Sequence, residues 1–206
     1  MRSRIVGLGD STTAGTPGFL SPLEAPPNGR GNPESQYAYW MMKVHPDWTV
    51  LNRGINGQRS DEILGRLQRD VLREEPDYVI ILGGVNDIYQ SAPLQSLKSN
   101  LLTMYHTAIA AQITPVATTV LPYNTGSTSE SKSIHELNVW VEETASRLRV
   151  LFCDTNLAVR DPRDPDRLLT SPDGLHPDVS GYRKMGEALA QTIDSSINKE
   201  RKDFLA

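Results

Sequence analysis

The 206-residue chain has a single cysteine, Cys153, which excludes an internal disulfide framework and a cysteine-rich zinc site. It has no apolar run near the ~20 residues that cross a bilayer. Its opening, Met-Arg-Ser-Arg-Ile-Val-Gly-Leu-Gly-Asp, is apolar for too few positions to form a signal-peptide core. No membrane span and a cytoplasmic setting are therefore expected. Neither sign of charge dominates: 21 basic against 25 acidic residues leave −4 at pH 7, which argues against a broad nucleic-acid or anionic-membrane surface. What remains is one globular domain over 1–206, long enough to bury its own core.

Short β-branched runs bounded by Gly, Pro or Asn lie at 4–8, 48–52, 78–82, 115–121 and 150–154, and they predict buried strands. Helical periods separate them. Ile63, Leu64, Leu67, Val71 and Leu72 share one face, as do Leu94, Leu97, Leu101, Met104 and Ala108. Ile134, Leu137, Val141, Ala145 and Leu148 form a third stripe, and Val179, Tyr182, Leu189, Ile193 and Ile197 a fourth, each at helical spacing. A weaker helix is expected over 36–44. Strands alternating with helices imply right-handed crossovers, and hence a three-layer α/β/α sandwich around a five-stranded parallel sheet.

Three stretches break this rhythm. Residues 15–33 hold five prolines and four glycines; this insertion is too long for an ordinary connection, so it either covers a site or decorates the surface. The charged, proline-punctuated segment 161–167 reads as a solvated loop, and the polar tail 198–206 is expected to fray.

Ligands of a doubly wound sheet sit outside the carboxyl ends of its strands. Those ends carry Gly9-Asp10-Ser11, then Gly54-Ile-Asn-Gly57, then Gly84-Val-Asn86-Asp87; Asp173-Gly-Leu-His176-Pro177 stands before the last helix. A hydroxyl, amides beside glycines, a carboxamide and an acid–imidazole pair are the parts that acyl transfer needs. Rival motifs fail: Thr12 occupies the third glycine of G-x-G-x-x-G, Thr13 breaks G-x-S-x-G, and there is no P-loop,. Each piece alone reads as a turn. Their order along the chain is what raises the signal.

These four blocks, in this order from Gly9 to Pro177, resemble the SGNH hydrolase superfamily, the GDSL-type esterases and lipases. The resemblance implies a flavodoxin-like fold and an esterase or acylhydrolase. It implies Ser11 as nucleophile, Asp173 and His176 as acid and base, and Ser11, Gly57 and Asn86 as oxyanion donors. Two positions depart from the pattern: Thr12 replaces the leucine of G-D-S-L, and Gln58-Arg59 follow Gly57. Both loosen any transfer of substrate preference.

The chemistry is coherent. A serine hydroxyl needs a base in the transition state, an imidazole is mostly neutral at pH 7, and a carboxylate three residues earlier can fix its tautomer. Glycine at 57 is read as allowing close backbone approach, and Pro177 as the first residue of the last helix. Asp10 and Asp87 are read as supports. His45, His106 and His135, the tryptophans Trp40, Trp48 and Trp140, and Cys153 are read as surface or packing residues, and Arg53 and Arg59 as surface cations. No metal-ligand spacing occurs, and no metal or cofactor is expected.

The expected activity is cleavage of short-chain carboxylic esters, with a small-molecule ester as the partner. The alternatives are a carbohydrate O-acetyl esterase, an acyl thioesterase or lysophospholipase, and, outside this chemistry, a non-catalytic ligand-binding domain or a metal-dependent phosphoesterase.

Overall fold

The computed structural model describes residues 2–15 and 32–205. Most of the proline- and glycine-rich stretch at 15–33, and with it the expectation of a cover over the site, lies outside the described residues. In the first strand, β1 (Arg4–Gly9), Ile5 points to one face and Val6 and Leu8 to the other, all fully buried. Burial on both faces is the mark of a strand inside a covered parallel sheet. β2 (Thr49–Gly54), β3 (Tyr78–Leu82), β4 (Thr114–Thr118) and β5 (Leu151–Cys153) complete that sheet. All pairs are parallel, in the order β2-β1-β3-β4-β5. This is the flavodoxin-like order, in which the winding reverses between β1 and β3 and opens a crevice there.

Three short helices start at strand ends: α1 (Ser11–Ala14) after β1, α5 (Val85–Tyr89) after β3 and α8 (Thr155–Val159) after β5. The layer over Val6, Leu8, Val79 and Ile81 consists of α3 (Ser60–Gly65), α4 (Leu67–Asp70), α6 (Leu94–Ala110) and α7 (Thr128–Leu148). The opposite layer, over Ile5, Ile80 and Leu82, consists of α2 (Tyr37–Val44) and α9 (Val179–Leu205). The result is the expected three-layer sandwich around five parallel strands. No helix among the described residues is long and apolar enough to cross a membrane.

Several local expectations are corrected. The apolar period over 63–72 is not one helix: the backbone leaves helical geometry at Arg66 (φ −108°, ψ 2°), which separates α3 from α4. β4 ends at Thr118, short of the expected 121; Val120 and Leu121 are buried beyond the strand, in the apolar clusters on either side of the sheet. The segment 161–167 is no plain loop; β6 (Arg160–Asp161) and β7 (Asp164–Leu168) pair as an antiparallel hairpin. Asp161 stabilises its turn by accepting the Arg163 backbone N–H at 2.9 Å. α9 continues through the expected frayed tail to Leu205. At its other end Asp178 caps it, with its Oδ1 accepting the Gly181 N–H at 2.8 Å. Pro177 therefore precedes the cap instead of starting the helix.

Candidate active site

The chain leaves β1 at Asp10, whose Oδ1 accepts the Thr12 N–H at 2.9 Å and caps α1 with Ser11 at its first position,. The neighbouring strand fixes this turn. Asn52 of β2 donates from Nδ2 to the Thr13 carbonyl and to Gln36 Oε1, both at 2.8 Å. Gly54 lies so close under α1 that a Cβ there would sit 2.0 Å from the Ala14 nitrogen. Only glycine permits that approach.

Asp10 is almost fully buried. Burial pushes its carboxyl up to about 6, against the Thr12 backbone N–H and the nearby His176, which both favour the carboxylate. The native state therefore holds this proton up to about pH 6, whereas the unfolded chain releases it near 4. Stability falls as the pH rises through that window, and the full cost, about 3 kcal/mol, applies above it. Asp10→Asn retains an oxygen acceptor for Thr12 N–H. It is expected to raise the urea-unfolding free energy at pH 8 and to lose that gain as the pH approaches 4. An equal gain at both pH values contradicts this assignment.

The second half of the site is a self-bracing loop. Asp173 Oδ1 accepts the backbone N–H groups of Leu175 and His176 at 2.9 and 2.8 Å, while Oδ2 meets His176 Nδ1 at 2.7 Å. Ser171 Oγ donates to the His176 carbonyl at 2.7 Å, and Asn124 N–H to the Gly174 carbonyl at 2.7 Å. His176 Nε2 lies 2.8 Å from Ser11 Oγ. Ser11, His176 and Asp173 are thus joined in series. Burial raises the Asp173 carboxyl, but the imidazole and the two backbone N–H groups more than offset it and leave it below its ordinary value. Its contribution to stability is present above the usual carboxylate range and is lost as the pH falls below it.

Gly57 and Asn86 line the same cavity as Ser11 and His176. Gly57 has φ +78° and nothing within 4 Å of a Cβ position, so its left-handed backbone requires glycine, and the close approach read from sequence is not the reason. Asn86 Nδ2 donates one hydrogen to the Gln58 carbonyl at 2.9 Å, which leaves a second amide hydrogen on that nitrogen. Asp87 is absent from the cavity wall and takes the Ser60 N–H and hydroxyl at 2.8 and 2.6 Å. Asn100 in turn donates to Ser60 Oγ at 2.9 Å, so α5 is tied to α3 and α6. Asp87 and Asp10 both brace the site from behind.

The cavity measures about 250 Å³, and Val85, Tyr89, Tyr123 and Leu175 give it apolar walls. That is below the volume of sites for drug-sized ligands, roughly 300–1,000 Å³. Two other hollows, one between α7 and the β6–β7 hairpin and one along β5 and α9, contain none of the motif residues.

The remaining sequence candidates lie elsewhere. His106 and His135 are exposed on helices, and His45 stacks on Trp48 and pairs with Asp194. Arg53 and Arg59 pair with Glu74 and Asp61. Cys153 is buried in β5, where burial pushes its thiol up to about 11. Sequence reasoning missed Asn52, Ser60, Tyr89 and Arg66. Arg66 carried a usable signal: with Asp70 it forms an opposite-charge i, i+4 pair on the apolar arc of Ile63, Leu67 and Val71.

A doubly wound sandwich with a hydroxyl, an imidazole and a carboxylate linked at its switch point has the parts of a serine-type hydrolase. The chain belongs to the GDSL-like lipase/acylhydrolase family, whose model matches residues 8–184, and it is accordingly an ester-hydrolysing enzyme. Among curated relatives, an acetylxylan esterase of Geobacillus stearothermophilus is 24% identical over 169 residues, 74% of this chain and 76% of that protein. Among solved structures, a protein of Desulfitobacterium hafniense described as lipolytic and of the G-D-S-L family superposes with a TM-score of 0.78 at 25% identity. The match covers 92% of this chain and 99% of that one. The crystal structure of the Geobacillus acetylxylan esterase shares the fold, with a TM-score of 0.73 at 20% identity over 93% and 94% of the chains.

Proposed function

We propose that Ser11, His176 and Asp173 act as a catalytic triad that hydrolyses carboxylic esters of short acyl chains through an acyl-enzyme. The observation that carries this reading is the unbroken series from Ser11 Oγ through the imidazole to Asp173, with contacts of 2.8 and 2.7 Å. Ser11 Oγ attacks the ester carbonyl while His176 Nε2 takes its proton. The imidazolium, held by Asp173, returns that proton to the leaving alcohol. Water then attacks the acyl-Ser11 ester by the same route, releasing the acid and restoring the hydroxyl. The Ser11 and Gly57 N–H groups and the second amide hydrogen of Asn86 receive the developing oxyanion. Every proton in this cycle is moved by the chain's own groups.

The small cavity supports the short-acyl preference. Across p-nitrophenyl esters from acetyl to dodecanoyl, kcat/KM is expected to be highest at acetyl to butyryl and to fall at least about tenfold by octanoyl. A ratio that holds or rises out to dodecanoyl overturns the preference while leaving the triad intact.

A second reading, a carbohydrate O-acetyl esterase, is favoured by Tyr89, whose residue is 60% exposed at the cavity rim. An exposed ring beside a small acyl site suits stacking on the carbon–hydrogen face of a sugar alcohol, and the acetylxylan esterase relative is in keeping with it. Tyr89→Ala is expected to raise KM for acetylated xylo-oligosaccharides about fivefold or more and to leave vinyl acetate within twofold. Equal effects on both substrates count against a sugar platform.

A further inference from the structure

We propose that Arg66, which no motif marks, is a positioning residue that aligns the three oxyanion donors by tying their backbone segments to one buried guanidinium. The inference rests on the oxyanion assignment above. Arg66 is 5% exposed and is absent from the cavity wall, so it acts through other residues. Its Nη2 donates to the Gly9 carbonyl at 2.6 Å, its Nη1 to the Arg53 carbonyl at 2.6 Å and to Asp70 Oδ2 at 2.9 Å, and its Nε to Gln58 Oε1 at 2.6 Å.

These acceptors are spread over the site. Gly9 ends β1 and immediately precedes Asp10 and Ser11. Arg53 is the penultimate residue of β2, just before Gly54 and the Gly57 loop. Gln58 follows Gly57, and its own carbonyl holds the Asn86 amide at 2.9 Å. One planar cation therefore fixes, in three directions, the segments that carry Ser11 N–H, Gly57 N–H and Asn86 Nδ2. Only a guanidinium has a rigid fork of donors for this; an ammonium of the same charge cannot serve four acceptors in one plane.

Burying the cation is costly unless it is fully paired, and Asp70, itself held by Arg69 at 2.5 Å, supplies the counter-charge. The local fold bends to accommodate it: the helix over 60–70 breaks at Arg66. An ordinary helix-stabilising arginine would stay within its helix and reach solvent. Arg66 instead turns inward, to the carbonyls of Gly9 and Arg53 at the ends of β1 and β2.

Donor placement matters most in the transition state, where the oxyanion is formed. A misplacement of about 1 Å can cost about 100-fold. Arg66→Lys keeps the charge beside Asp70 but loses the fork. It is expected to lower kcat about 10- to 100-fold with KM within about twofold, and to weaken a trifluoromethyl ketone inhibitor by a similar factor.

Gln58→Met cuts a single link at a half-buried residue and is expected to lower kcat about fivefold. Gln58→Glu restores an acceptor and should recover activity to within twofold of the original. All rates are referred to active sites titrated with a fluorophosphonate. A merely structural role predicts lower unfolding midpoints with unchanged kcat per titrated site and unchanged ketone affinity, and that result overturns the inference. If Ser11 in the unaltered protein takes no label, the triad reading has failed instead, so the two failures are distinguishable.

Discussion

Ser11→Ala is expected to lower kcat for a p-nitrophenyl ester by about 10⁴-fold or more, with an unfolding midpoint close to that of the parent protein. The size follows from the proposed role of Ser11 Oγ as the atom to which the acyl group bonds. The oxyanion donors and substrate binding survive, and such a remnant accelerates only weakly over water, so loss of one member of the series approaches loss of the whole. Stability is spared because Ser11 Oγ engages only His176 among the described hydrogen bonds. The N–H of Ser11, its place in α1 and the Asp10 cap do not depend on the hydroxyl. The check is steady-state hydrolysis beside thermal unfolding; a variant that keeps a tenth of the parent rate contradicts Ser11 as nucleophile.

His176→Ala is expected to have an effect of similar scale, about 10⁴- to 10⁶-fold in kcat, since in the proposed triad the hydroxyl then has no base and the alcohol no acid. Its structural effect is confined to one loop. Asp173 retains the Leu175 and His176 N–H groups on Oδ1, which are backbone atoms, so the turn persists. The carboxyl loses the imidazole that holds it down and moves up toward its ordinary value. Added imidazole should restore a measurable fraction of the rate, since the cavity opens beside the vacated ring position. A normal kcat in this variant removes His176 from the mechanism.

The parts of the fold that could be read in advance are those in which a side chain's chemistry and its burial agree. β3 reads Tyr-Val-Ile-Ile-Leu and is buried at every position, so its apolar run announces a strand covered on both faces. The residues of the candidate site were visible for a different reason. Ser11, Gly57, Asn86 and the Asp173–His176 pair sit just past strand ends or before the last helix, where short polar motifs interrupt apolar runs.

Interactions whose partners lie far away in sequence leave no local trace. Arg66 reaches Gly9, 57 residues earlier, and Asn52 reaches Thr13 and Gln36; neither contact follows from local periodicity. The β6–β7 hairpin was obscured because four of the five residues of β7 are exposed, which removes the alternation that marks a strand. Ser127 and Glu130 form a capping box that starts α7 well before its apolar stripe, a start signal that the sequence carries in its Ser-x-x-Glu spacing and that the stripe alone does not show.

Covalent trapping tests the proposed acyl-enzyme on Ser11 most directly. The protein is incubated with a fluorophosphonate and with a slowly hydrolysed short-chain ester, quenched in acid, digested and read by peptide mass spectrometry. A Ser11 nucleophile predicts one adduct per chain in each case, both on Ser11, with labelling abolished in Ser11→Ala and strongly slowed in His176→Ala. Turnover of the ester by a folded protein that carries no adduct at Ser11, or carries it on another residue, would contradict it.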